Sequence, residues 1–143
     1  MNPTKMKLAV GLAGGLLAGA ELAIGMPSFA QEDTGATVTP AFSQKLPNVP
    51  GKTLTGVVVA YAPGAKSGKH HHAGSVLGYV LSGEIRSENS ATGPAKTYKA
   101  GESFFEPPGS QHTISGNASA TEPASLLAIF VAEDGAQLTT FDK

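Results

Sequence analysis

The sequence predicts an all-β protein, a small sandwich or barrel preceded by a cleaved leader and an extended arm. After Gly51 the chain turns into short runs of β-branched and aromatic residues separated by glycine and proline. No segment beyond that point sustains a long helical period. Turn residues recur at the close intervals expected of all-β sandwiches and barrels.

Residues 1–30 read as a secretory signal peptide. Lys5 and Lys7 form a short positive region, residues 8–20 are an apolar run, and Ser28-Phe29-Ala30 places small residues at the −3 and −1 positions of a cut before Gln31. Glu21 interrupts the apolar stretch, which is therefore short for a spanning helix of about 20 apolar residues. No arginine pair precedes the run, so the general route for unfolded chains is expected, with a periplasmic or secreted product and no membrane attachment after cleavage. Residues 31–50, punctuated by Pro40, Pro47 and Pro50, read as an extended, flexible arm along the domain. Residues 51–143 form the barrel domain.

Within it, strands are expected at residues 53–61, 76–81, 84–87, 96–99, 103–106, 112–115 and 125–131. Residues 90–95 and 115–123 read as surface loops. Gly83 lies between two strand-like runs, where a hairpin needs a residue tolerant of positive φ. Pro107-Pro108-Gly109-Ser110 suits a type II turn, a rigid corner that aims His112 back into the barrel. Tyr61, Tyr79, Tyr98, Phe104, Phe105 and Phe130 are expected in the core.

The chain contains no cysteine, which excludes disulfides, thiolate metal sites and a cysteine nucleophile. Its 10 basic and 11 acidic residues are scattered singly, with no basic stripe, so nucleic acid is not an expected partner.

Of four histidines, three fall into a pattern with chemical meaning. His70 and His72 are two apart, so on a strand both project to one face while His71 turns away. One more imidazole, from His112 beyond the proline turn, completes a three-nitrogen metal site. By the same alternation, Val76 and Val80 point inward with His72.

Two stretches carry a family resemblance. Gly64-x5-His70-x-His72-x3-Val76-x6-Gly83 resembles the first motif of the cupins, and Gly101-x5-Pro107-x-Gly109-x2-His112 resembles the second. The resemblance extends over about residues 50–132. It implies a small jelly-roll β-barrel with a metal inside, held by two motif-one histidines, a motif-one glutamate and the motif-two histidine. Here Val76 stands at the glutamate position, and its neighbours Ser75 and Leu77 supply no carboxylate. The expected ligands are thus His70, His72 and His112, three neutral imidazoles that leave the ion's charge uncompensated and favour anionic ligands. Such a set resembles the three-histidine non-haem iron dioxygenases among the cupins, and equally a tetrahedral zinc site. Imidazole does not select the metal; Fe(II) comes first on the resemblance, then Zn(II), Mn(II) and Ni(II).

Glu106, just before the proline turn, is the candidate catalytic residue. A two-residue alternation pairs it with Phe104 and opposes it to Phe105 without saying which face is interior. An inward Glu106 would replace the missing acidic ligand, hydrogen-bond a metal-bound water, or act as general acid or base; an outward one would be a solvated edge residue. Three functions follow: a metal-dependent oxygenase acting on a small molecule, a non-catalytic protein that captures a small ligand or the metal, and a metal-free cupin with a structural role. A homodimer is a further expectation, with the arm of residues 31–50 crossing to a neighbour's sheet edge.

Overall fold

The computed structural model describes residues 35–143; the expected leader and the first residues of the arm lie outside them. Among the described residues the chain forms strands and no helix. They run β1 (Ala36–Lys45), β2 (Lys52–Tyr61), β3 (Lys66–Ser67), β4 (His70–His72), β5 (Ser75–Ser82), β6 (Glu84–Asn89), β7 (Gly93–Lys99), β8 (Ser103–Glu106), β9 (Gln111–Asn117), β10 (Ala124–Glu133) and β11 (Thr139–Phe141). One antiparallel sheet has the order β1-β2-β10-β5-β8 and the other β11-β4-β9-β6-β7, with β3 also on β9. This is the jelly-roll plan, in which consecutive segments pass back and forth between two facing sheets.

Alternation decides what each strand buries. Along β10, Ala124, Leu126, Ala128, Phe130 and Ala132 are buried, and along β5 so are Val76 and Val80. These side chains meet Val57, Tyr61 and Ile85 in a single core. The turns behave as their residues require. Gly83 has φ +67°, and a Cβ there would come within 2.6 Å of the Pro123 carbonyl oxygen. Gly109 has φ +71°, Ser110 N–H donates to Pro107 O at 3.1 Å, and Gly109 N–H donates to His72 O at 2.9 Å. The proline corner is thereby tied to the strand that carries the first two histidines.

Several expectations are revised. Ala36–Lys45 is a sheet strand paired along β2 of the same chain. Pro40 is accommodated at an edge, beside a register shift between Pro40 and Phe42, and the Phe42 ring covers Gly56, where a Cβ would meet it at 2.3 Å. Residues 93–95, expected in a loop, begin β7. Tyr79 and Phe105 leave the core and face out, 41% and 49% exposed, because the inward positions beside them belong to Gly78, Val80, Phe104 and Glu106.

Candidate metal centre

The hairpin-like approach of β4 and β9 places His70 opposite His112 in register, and β4 carries His72 two residues on. All three histidines are buried, and one ring nitrogen from each lies within 4.8 Å of the others. His71 turns away, half-exposed, with its Nδ1 3.3 Å from Asp142 Oδ1.

The outer nitrogens are held. His70 Nδ1–H donates to Gly68 O at 2.7 Å and His72 Nδ1–H to Leu138 O at 3.0 Å, with Thr139 Oγ1 3.1 Å from the same nitrogen. A carbonyl only accepts, so both rings carry their proton on Nδ1 and leave the Nε2 lone pair free. His112 is held from the opposite side: its Nε2 is 2.8 Å from Ser87 Oγ. Each imidazole also meets one phenyl ring, His70 with Phe141 at 5.4 Å, His72 with Phe130 at 5.2 Å and His112 with Phe104 at 5.9 Å between centroids.

Glu106 faces inward and is 3% exposed. Its Oε2 lies 2.9 Å from His112 Nδ1 and 3.7 Å from His72 Nε2. Asn89 Nδ2–H donates to the same oxygen at 3.4 Å. The His112 contact is close but out of line, so His112 Nδ1 is a buried nitrogen without a hydrogen-bond partner. The carboxylate therefore stands beside the three imidazoles, and the all-imidazole surroundings expected from Val76 give way to three nitrogens and an acid.

Electrostatics keep His70, His72 and Glu106 in the protonation states that suit a cation. Burial pushes His70 down to about 4, against a smaller upward pull from its carbonyl partner. Burial lowers His72 as well, partly opposed by Glu106. For Glu106 burial acts upward, but the His112 contact and the imidazole fields outweigh it and hold the carboxyl below its ordinary value. Neutral imidazoles and an ionised carboxylate are what a divalent ion requires.

The donor set passes a distance test too. Ligand atoms about 2.1 Å from an ion stand about 3.0 Å apart at right angles and about 4.2 Å apart when opposed. The two separations from Glu106 agree with this range, and the nitrogens, all within 4.8 Å of one another, must draw closer for one ion to reach all three. The orphaned His112 Nδ1 is the atom such an ion would satisfy.

The cluster opens into a cavity of about 70 Å³, room for a few waters or one small molecule. Its walls are aliphatic and aromatic, including Val38, Val57, Leu126 and Phe130. Beside them Tyr61 Oη bonds Ser67 Oγ at 2.8 Å and Ser115 Oγ at 2.9 Å, and burial raises that phenol above its ordinary value. This hydroxyl group escaped sequence reasoning because two single serines have no local signature; only the pairing of β3 with β9 brings Ser67 opposite Ser115.

The fold is widely shared. A cupin-like protein from Thermotoga maritima aligns with a TM-score of 0.62 at 21% identity, over 84% of this chain and 87% of its own. A Klebsiella pneumoniae protein with a double-stranded β-helix domain aligns at 0.59 and 21%, over 80% and 90%. An oxalate oxidase in complex with the substrate analogue glycolate aligns at 0.59 and 21%, over 81% of this chain; the chain spans 59% of that enzyme. No curated protein matches the sequence. The cupin-domain family matches residues 57–130, more than half of the chain and the segment that carries all three histidines and Glu106, and the protein belongs to that family.

Proposed function

We propose that the protein is a divalent-metal cupin, with His70, His72 and His112 as ligands, that acts on one small molecule in the adjoining cavity. The observation that carries this reading is the arrangement of outer hydrogen bonds, which frees Nε2 of His70 and His72 toward the cavity while His112 Nδ1 lies buried and unpartnered. Fe(II) is the favoured ion, and the same donors admit Zn(II), Mn(II) and Ni(II). When bound, the ion supplies a Lewis acid and, in the case of iron, a site for oxygen chemistry. The chain's own residues do the rest. The apolar walls exclude water, the phenyl rings fix the imidazole planes, and the Tyr61 hydroxyl offers a polar contact to the occupant.

The reaction class we propose is oxygenation of a small chelating molecule. Among the fold's relatives are an oxalate oxidase and a DMSP lyase, both named for small-molecule chemistry. No lysine or arginine is among the described residues lining the cavity, so a compact, weakly charged substrate suits it better than a dianion. Non-catalytic capture of such a ligand is the alternative. We also propose export, with cleavage before Gln31, from the pattern of residues 1–30.

The deciding experiment is metal content of the untagged chain, purified without added metal, beside a His70→Ala/His112→Ala variant. One ion per chain in the parent and none in the variant supports the centre. O2 uptake dependent on Fe(II) then favours the oxygenase, and tight ligand retention without turnover favours capture. A parent that takes up no Fe(II), Zn(II), Mn(II) or Ni(II) sinks the reading.

A further inference from the structure

Resting on that metal-centre reading, we infer that Glu106 is the fourth protein ligand, delivered from β8 into the centre across from a position on β5 that carries only Val76. In the β5–β8 ladder Val76 and Glu106 are direct partners. Directly opposed residues project to the same face with Cβ atoms about 5 Å apart, so either position can serve one point inside the barrel.

A second pair in the same ladder divides the space in the same way. Gly78 faces Phe104, and a Cβ on Gly78 would meet that ring at 2.4 Å. β5 thus presents a valine and a glycine, while β8 fills the interior with the carboxylate and the phenyl ring that edges His112. The side-chain volume on this flank of the centre therefore lies on β8 at two successive inward positions.

The surroundings of Glu106 fit coordination better than proton transfer. It is a buried carboxylate whose polar neighbours are His72, His112 and the Asn89 amide, with no lysine or arginine on it among the described residues. An ionised carboxylate is costly to bury unless a cation accompanies it. Its Oε2 lies 2.9 Å from His112 Nδ1, close to the spacing of two donors at right angles on one ion. A base must reach substrate, whereas a ligand must reach the ion the imidazoles share. The consequence is a charge-compensated centre, with one negative group against the divalent ion.

The test compares metal binding to the full chain, stripped with chelator, in the parent, Glu106→Gln, Glu106→Val, the exchange Val76→Glu/Glu106→Val, and His70→Ala. Mn(II) and Zn(II) affinities are measured by calorimetry, and Co(II) loading reports the donor set through its visible absorption. Circular dichroism identifies variants that fold.

Glu106→Gln, which keeps shape and removes charge, is expected to weaken Mn(II) at least tenfold and to alter the Co(II) spectrum. The exchange variant is expected to recover most of the affinity that Glu106→Val loses. Glu106→Gln with parental affinity and spectrum, while His70→Ala loses the ion, overturns the inference and leaves the three-histidine centre standing. A changed affinity with an unchanged Co(II) spectrum also overturns it, since that is the mark of a carboxylate outside the coordination sphere. Absence of metal in the parent overturns both readings.

Discussion

Ser87 Oγ lies 2.8 Å from His112 Nε2, and both residues are buried, so the third imidazole is held by a hydroxyl where the other two are held by carbonyls. A hydroxyl can donate or accept, so this bond fixes the orientation of the His112 ring without dictating its tautomer. Ser87→Ala removes the hydroxyl that holds that nitrogen. The expected outcome is a 10- to 100-fold loss of Zn(II) or Mn(II) affinity, read by calorimetry. Unchanged affinity would show that packing against Phe104 suffices to aim the ring.

Thr139→Val is expected to do far less. His72 Nδ1 has two partners, Leu138 O and Thr139 Oγ1, and the backbone carbonyl survives the substitution. Metal affinity should stay within about fivefold of the parent, since one of two shared hydrogen bonds contributes about 1 kcal/mol or less. A tenfold loss would make the threonine hydroxyl, not the carbonyl, the group that orients His72.

The metal-free protein should lose stability in mild acid. His70 titrates at about 4 in the fold and at 6.5 as its ordinary value. Between these values the unfolded chain binds a proton that the folded chain refuses, so stability falls as pH drops through the window and levels off below it. His72 and Glu106, both lowered, act in the same direction. Urea midpoints at pH 7, 5.5 and 4.5 should therefore decline, and His70→Gln should remove roughly 2 to 3 kcal/mol of that decline. A profile identical in parent and variant would mean that His70 is charged in the fold.

Gly78→Ala should destabilise the barrel by about 1 to 3 kcal/mol, because the added methyl overlaps the Phe104 ring and forces it to move. Phe104 edges His112 and packs on Tyr98, so weaker metal binding should accompany the lower unfolding temperature. Thermal unfolding and Mn(II) titration of one preparation check both.

Much of this structure is legible in the residues. Alternation and turn chemistry locate the long strands, and the i, i+2 spacing of His70 and His72 places both on one face because pleat geometry is local. What stays hidden depends on pairing. Alternation groups Phe104 with Glu106 but is symmetrical between the two faces, and with phenylalanine on both, hydrophobicity does not choose; the ladder to Val76 does. β1 is obscured by Pro40 and its polar residues, which an edge strand tolerates. β11 has three residues and carries no periodicity; its place comes from pairing with β4. Tyr79 reads as core by composition and faces outward because Val80 and Gly78 hold the inner positions.

The carbonyl that orients His72 belongs to a residue 66 positions later in the chain. At ribosomal rates of about 5 to 20 residues per second, the imidazole is made roughly 3 to 13 s before the oxygen that orders it. Through that interval the nascent chain offers an ion histidines whose mutual geometry the barrel does not yet enforce, a weak and indiscriminate chelator. On the proposed reading, discrimination among ions is consequently a property of the finished barrel, complete only when β11 zips onto β4.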